Sequence, residues 1–222
     1  INRTGITVTG LQYDLDYKIS PNFGLDVPME QISKGNGGSC VLSAYSSSVI
    51  NLSNHLTTSL GITAQYFTLN KNWTVEPRAA LKWSFNPKHA LALAYGLHSR
   101  REKLDYYFVE QEANGKTKSN RYLDFSKAHH FGLTYDWNIN SYMHLKVEPY
   151  YQYLFRIPVE ENSSFSIINH QSFYLDRTLK NRGSGVNYGI DITLEQYMKN
   201  GFYYMITASL FKSKYKAGDN IW

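Results

Sequence analysis

Apolar and polar residues alternate along most of this chain. Between residues 128 and 139, Phe131, Leu133, Tyr135, Trp137 and Ile139 fall on one row, and Ala128, His130, Gly132, Thr134, Asp136 and Asn138 on the other. A period of two is the mark of a β-strand with one apolar and one polar face. The same alternation predicts about nine strands, near 5–19, 40–52, 55–69, 73–85, 89–111, 128–139, 142–157, 186–197 and 202–216. In the first, Leu11, Tyr13, Leu15, Tyr17 and Ile19 form the apolar row against Gln12, Asp14, Asp16 and Lys18. In the fifth, Leu91, Leu93, Tyr95 and Leu97 oppose a row of small residues, Ala90, Ala92, Ala94 and Gly96, that ends at His98.

Turn residues then set the connections. Ser53-Asn54, Asn70-Lys71-Asn72, Asn86-Pro87-Lys88, Asn140-Ser141 and Asn200-Gly201 close neighbouring strands. Asn-Gly is the strongest hairpin signal among them, because both residues accept positive φ. Long loops are predicted near 20–39, which holds Gly35-Asn36-Gly37-Gly38, near 112–125 and near 158–185. The tight turns after strands two, four, six and eight share one edge, and every long loop falls on the other. Short periplasmic turns and long extracellular loops are the asymmetry of an outer-membrane barrel. The fold class expected is therefore all-β: an antiparallel up-and-down transmembrane β-barrel segment. A tilted strand crosses the hydrocarbon core in about 9–11 residues, so the longer strands here should project beyond it. Pro77 and Pro149 stand in Glu-Pro pairs on apolar rows. Proline cannot donate to the ladder, so each predicts a bulge or a missing bond.

Composition agrees with a lipid-facing surface. Of 222 residues 15% are aromatic, and 19 are tyrosine, which suits the aromatic girdles of such barrels. No run approaches the about 18 apolar residues of a membrane-spanning helix, and that leaves a strand-built barrel open. Cys40 is the one cysteine, so the chain has no internal disulfide and no cysteine metal cluster. The net charge is +5, but the basic residues are scattered. Arg100, Arg101 and Lys103 and then Lys212, Lys214 and Lys216 make the densest groups. Both lie near strand ends, where lipid headgroups or solvent take cations, and nucleic acid is not an expected partner.

No motif points to catalysis. Gly183-Ser184-Gly185 lacks the strand-before, helix-after context of a phosphate loop and reads as a flexible loop. His129 and His130 point to opposite faces of a strand, so one ion cannot take both. Glu160-Glu161 reads as a solvated loop, and no Ser, His and Asp are fixed as a triad. No catalytic, cofactor-binding or metal residue is assigned, no resident cofactor is expected, and the chain is read as a non-enzyme. Substrate-binding residues stay unknown. The candidate surfaces are the three long loops and the upper polar row, where Tyr and Asn offer stacking and hydrogen bonds.

Several strings resemble the C-terminal barrel half of TonB-dependent outer-membrane receptors of the Bacteroidota type. They include Trp73-Thr74-Val75-Glu76-Pro77-Arg78-Ala79, Ala94-Tyr95-Gly96-Leu97-His98-Ser99, Lys127-Ala128-His129-His130-Phe131 and Tyr135-Asp136-Trp137. Leu145-Lys146-Val147-Glu148-Pro149-Tyr150, Asn187-Tyr188-Gly189-Ile190-Asp191 and Ser209-Leu210-Phe211 continue the series in the expected order. The resemblance implies a barrel of about 22 strands closed by an N-terminal plug, sited in the outer membrane of a Gram-negative bacterium. It implies uptake of a scarce nutrient (a siderophore, haem, a cobalamin or a glycan) with TonB-derived energy. Implied partners are outer-membrane lipid and lipopolysaccharide, the TonB complex through the missing N-terminal region, the extracellular nutrient and a surface lipoprotein. The 222 residues hold no plug and no TonB box, and Ala217-Gly218-Asp219-Asn220 reads as an extracellular turn after which more strands are expected. The alternatives are an autonomous porin or structural barrel, which needs an even strand count and a closed sheet, an outer-membrane hydrolase, and a soluble β-sandwich.

Overall fold

The computed structural model describes residues 1–20, 28–113, 115–172 and 174–222. Nine strands build one antiparallel sheet: β1 (Asn2–Ile19), β2 (Glu30–Ser53), β3 (Leu56–Phe67), β4 (Asn72–Asn86), β5 (His89–Arg100), β8 (Ser126–Asn138), β9 (Met143–Val159), β10 (Lys180–Lys199) and β11 (Phe202–Lys216). β6 (Glu110–Ala113) and β7 (Lys116–Ser119) form a separate hairpin between β5 and β8. Each strand of the large sheet pairs with the next in sequence, the up-and-down order expected of a barrel wall. Among the described residues no ladder joins β1 to β11. Tight turns follow β2, β4, β8 and β10; β1 ends and β2 begins at the opposite, upper edge, where the described residues of the 101–125 and 160–179 connections also lie.

The register sorts side chains into two faces. Trp83 stands opposite Leu91, Leu91 opposite Tyr135, and Leu93 between Leu81 and Leu133. The other face carries Arg78, Gly96, His130, Gln152, Asn187 and Ser213 in one unbroken cross-strand row. On the apolar face Leu60, Ile62, Trp83, Leu93, Ile206 and Leu210 are all exposed. An apolar band this wide is not a surface that water tolerates. Aromatic rings bound it at both heights. Below, Trp83, Phe85, His89 and Trp137 contact in series at centroid distances of 5.1, 5.7 and 5.7 Å. Above, Tyr95, His129, Phe155 and Tyr153 do so at 6.0, 5.0 and 6.1 Å. Two aromatic belts around an apolar band are the lipid-facing surface of a transmembrane barrel.

Strand limits differ from the sequence pattern at the upper edge. β2 starts at Glu30 and runs 24 residues, so Gly35-Asn36-Gly37-Gly38 lies in a strand rather than a loop. A Cβ at Gly35 would run into the Phe108 ring, and the glycine is there to admit that ring. β10 starts at Lys180, so Gly183-Ser184-Gly185 is strand as well. Gly183 stands where a Cβ would meet Val159. β5 stops at Arg100, because three consecutive residues, Tyr106, Tyr107 and Phe108, are buried on a 3-10 turn (Leu104–Phe108). A two-sided strand would turn the middle one away.

The first strand also changes face. Ile6 and Val8 stand on the apolar band opposite Ala44 and Leu42, but Leu11, Tyr13 and Leu15 share the face of Val41 and Phe67. Above the band the outside is polar, with Gln12, Asp14 and Asp16, and the apolar row turns inward to pack under the loops. Neither proline makes a bulge. The β4–β5 ladder ends at Arg78 opposite Gly96, beside Pro77. The β8–β9 ladder drops its pairs between Gly132–Tyr150 and Tyr135–Val147, where Pro149 stands, with the register unchanged. Missing bonds, rather than extra residues, accommodate both rings. A true irregularity occurs higher on β9. Arg156 takes φ 54° where the β9–β10 register shifts between Gly183 and Gly185, and the shift keeps both Leu154 and Ile157 against the core.

Candidate solute-facing surface

The buried core of this protein is not in the sheet but under its upper edge. Val41, Phe67 and Ile157 from the strands meet Tyr106, Tyr107, Phe108, Val109, Leu123 and Phe125 from the 101–125 loop. Ile167, Leu175 and Leu179 from the 160–179 loop complete it. Both loops therefore fold inward over the polar face and roof it. Tyr107 packs edge-on to Phe67 at 5.3 Å and Phe108 against Tyr13 at 4.7 Å. Arg101 and Arg121 lie over Phe67 and Phe108 at 5.9 and 4.9 Å, cations that shield the rims of the roof. The Tyr107 hydroxyl accepts the Glu102 N–H at 3.1 Å. Burial pushes its pKa up from 10.0 to about 12, against the opposing effect of that hydrogen bond.

Side-chain amides join the two loops. The fully buried Asn120 accepts the Leu179 N–H at 2.7 Å and donates to the Arg177 carbonyl at 3.1 Å. Gln111 donates to the Asp176 carbonyl at 2.7 Å and accepts from the Thr178 N–H and hydroxyl, both at 3.1 Å. Asn181 accepts the Asp124 N–H at 2.8 Å and donates to the Asp124 and Arg156 carbonyls at 3.1 and 2.8 Å. Asn70 and Asn72 both donate to the Leu123 carbonyl, at 2.7 and 3.1 Å. An amide carries one acceptor and two donors in a plane, so it can splice two irregular backbones that have no ladder between them. Burial works against the charge of Arg177, but Asp176 and Glu160, at 3.0 and 3.2 Å, outweigh it and hold the guanidinium above its ordinary pKa.

Beneath the roof lies the inner wall. A depression of about 500 Å³ is lined by residues from β2 to β9, among them Ser47, Arg78, His98, His130, Tyr150 and Gln152. One hollow shared by six consecutive strands of the sheet means that this face is concave. Gly61, Ala80, Ala94, Gly96 and Gly132 form its floor, and their small size sets its depth. The His98 ring folds back over Gly96 and meets the His130 ring at 4.6 Å. At the upper end Glu76 is buried and receives Gln65 at 2.7 Å, Arg78 at 3.0 Å and the Ser99 hydroxyl. Lower down, the wall carries Lys146–Glu148 at 2.8 Å and His144–Asp136 at 3.1 Å. Glu76, Asp136 and Glu148 are thus paired with Arg78, His144 and Lys146, and this part of the wall offers hydrogen bonds in both senses. Such a surface suits a polar solute or a polar protein segment passing over it.

The sequence-predicted candidates divide accordingly. Residues 21–27 of the first long loop lie outside the described residues, and 30–39 are strand. Within the other two candidate loops, Asn120 and Asn181 are committed to splicing. Among the described residues of the roof, Tyr122, 80% exposed, is the aromatic that stays open to solvent. The His98–His130 contact escaped sequence reasoning. Both lie on polar rows, but only the β5–β8 register, with Gly96 opposite His130, brings them together. Among the described residues no three His, Cys, Asp or Glu side chains converge as a metal set.

No protein-family model and no curated protein sequence matches this chain. Solved structures do. The FrpB iron transporter from Neisseria meningitidis, F3-3 variant, aligns with TM-score 0.60 and 12% identity over 83% of this chain and 28% of its own. The apoprotein form of its F5-1 variant aligns with TM-score 0.64 and 11% identity, over 98% and 34%. The RagAB peptide importer in its closed-closed state gives 0.61 and 12%, over 97% and 30%. The chain thus spans about a third of the length of these transporters. At such identities the likeness is one of fold. What it shows is that this antiparallel sheet has the fold of part of these transporters.

Proposed function

We propose that this chain is wall and roof of an outer-membrane active transport receptor of the TonB-dependent, Bacteroidota type. In this reading its apolar band faces lipid, its 101–125 and 160–179 loops face the cell exterior, and its concave face lines the path of the solute. The observation that carries the reading is the pairing of two unlike faces with one-sided loops. An exposed apolar band bounded by aromatic belts covers one face, and a hollow polar wall roofed by folded loops covers the other. The cargo is a scarce nutrient: a siderophore, haem, a cobalamin, a glycan or, following the neighbours in fold, iron or a peptide. The remaining partners are the TonB complex, acting through a plug carried elsewhere in the parent protein, and a surface lipoprotein. An autonomous porin or structural barrel fits less well, since it needs a closed sheet and no ladder among the described residues joins β1 to β11. A hydrolase fits less well too, since Glu76, Asp136 and Glu148 on the inner wall are engaged by Arg78, His144 and Lys146.

Uptake assays on cells carrying the parent gene test this. Labelled siderophore, haem, cobalamin, oligosaccharide and peptide are offered with and without a protonophore. Energy-dependent uptake of one of them, reduced at least about tenfold by Ala94→Trp in the floor of the hollow, is the expected outcome. Uptake indifferent to the protonophore would favour a passive porin.

A further inference from the structure

A second depression of the inner wall, of about 480 Å³, adjoins the hollow and shares Tyr150 and Gln152 with it. Asn187, Asp191, Phe211 and Ser213 complete its lining. The register stacks these residues in three tiers across β9, β10 and β11. Gln152, Asn187 and Ser213 stand opposite one another at the top, Tyr150, Gly189 and Phe211 in the middle, and Glu148, Asp191 and Ser209 below.

The middle tier is aromatic. A Cβ on Gly189 would lie 2.8 Å from the Tyr150 hydroxyl and 2.8 Å from the Phe211 Cβ. The glycine therefore gives the Tyr150 ring room to lie across β10 towards Phe211. Phe211 is 73% exposed on this polar side of the sheet, so its ring is open to a solute. The top tier is a chain of hydrogen bonds with one sense. The Ser213 hydroxyl donates to Asn187 Oδ1 at 2.7 Å, and Asn187 Nδ2 donates to Gln152 Oε1 at 3.2 Å. It ends in the Gln152 amide N–H groups, which have no protein acceptor among the described residues. The bottom tier is anionic. Glu148 is taken by Lys146 at 2.8 Å and by the Thr134 hydroxyl at 3.3 Å. Asp191 makes no ion pair and no side-chain hydrogen bond among the described residues. Two carboxylates thus face one lysine, and the bottom tier is left with a net negative charge.

These tiers select by charge. An anion would meet Asp191 and Glu148. A neutral polyol would use the amides and the rings but leave the Asp191 charge unmatched. A metal ion finds no group of three His, Cys, Asp or Glu ligands there among the described residues. An ammonium group satisfies all that is present. It donates charge-assisted hydrogen bonds to the carboxylate, and its positive charge is attracted to the faces of Tyr and Phe rings. Acceptor atoms beside it on the solute meet the free Gln152 donors.

We infer that Asp191, Tyr150 and Phe211 receive a primary ammonium group of the solute, with Gln152 bonding the polar atoms next to it. This rests on the reading of the concave face as the solute path and adds the charged group by which the solute is held. The test measures equilibrium binding to the full protein in lipid nanodiscs by saturation-transfer NMR and calorimetry. The probes are glucosamine, glucose and glucuronate, which share a ring and differ in charge, and putrescine, which shares only the ammonium. At about pH 6, where its amine is charged, glucosamine should bind at least about tenfold more tightly than glucose or glucuronate, and putrescine should compete with it. Asp191→Asn should remove the preference for glucosamine over glucose, and Phe211→Ala should weaken glucosamine binding. Glu195→Gln, lower on the same row of β10, should leave both unchanged. Flotation with lipid vesicles and tryptic resistance of the roof confirm that each variant is folded and embedded. Equal binding of glucosamine and glucose, a preference that survives Asp191→Asn, or no competition by putrescine would overturn the inference. Binding is read without an energy source, so the two readings fail separately. Uptake indifferent to a protonophore contradicts active transport, whereas binding without preference for the charged amine contradicts only the ammonium site.

Discussion

Tyr107, in the roof, is 1% exposed, and Leu93, in the middle of the wall, is 57% exposed. Both are large and apolar, yet they stabilise the molecule in different ways. The roof is built like a small water-soluble domain, with a dry core, buried amides and paired charges at its rim. The wall has no core of its own. Its strands are held by ladder hydrogen bonds, and its apolar side chains find their partners in the surrounding medium. Apolar residues thus point inward above the band and outward within it, and β1 shows both habits in one strand, with Val8 out and Tyr13 in. The direction of an apolar row therefore reports the solvent at that height.

If the comparison is right, mutations should separate the two regions. Phe67→Ala, which removes the ring beneath Tyr107, should destabilise the roof by about 3–5 kcal/mol. Hydrogen exchange should then show lost protection at the Leu179 amide while the β4–β5 ladder keeps its own. Leu93→Arg should do the reverse in a bilayer, costing about 2–4 kcal/mol at mid-depth and leaving Leu179 protected.

A pH jump sharpens the same division. The Tyr107 hydroxyl is neutral in the fold up to about pH 12, against an ordinary value of 10.0. Because the folded pKa is the higher one, its contribution is complete below pH 10 and is lost as pH rises through 12. A shift of this size corresponds to about 3 kcal/mol. Proteolysis of the 101–125 loop should accelerate across that window and cease to depend on it in Tyr107→Phe. Asn120→Ala comes last, at about 1–3 kcal/mol, because it orphans the Leu179 N–H and the Arg177 carbonyl. Its signature is loosened exchange in the 160–179 loop with the wall unaffected.

The wall was legible in the sequence because period two is a local property. Nine strands, their tight turns and the upper and lower edges all follow from it. Asn200 and Gly201 do take positive φ, 53° and 79°. The roof was not legible, because its contacts join distant segments. Gly35 reads as a loop residue until Phe108 is seen stacked over it, and Gly183 reads so until Val159 is. Asn120 and Asn181 look like solvated loop asparagines, and only the meeting of the two loops shows them as splices. The His98–His130 contact depends on strand register, which alternation alone leaves open.

The central claim is that the band around Leu93 faces lipid while the roof around Tyr122 faces water. Nitroxide labels at each position, introduced as Leu93→Cys or Tyr122→Cys in a Cys40→Ser background, report it directly by electron paramagnetic resonance on the full protein in bilayers. The account predicts that the label at 93 is relaxed mainly by molecular oxygen, which concentrates in lipid, and the label at 122 mainly by a water-soluble nickel complex. Equal relaxation of both labels by the nickel complex would contradict it.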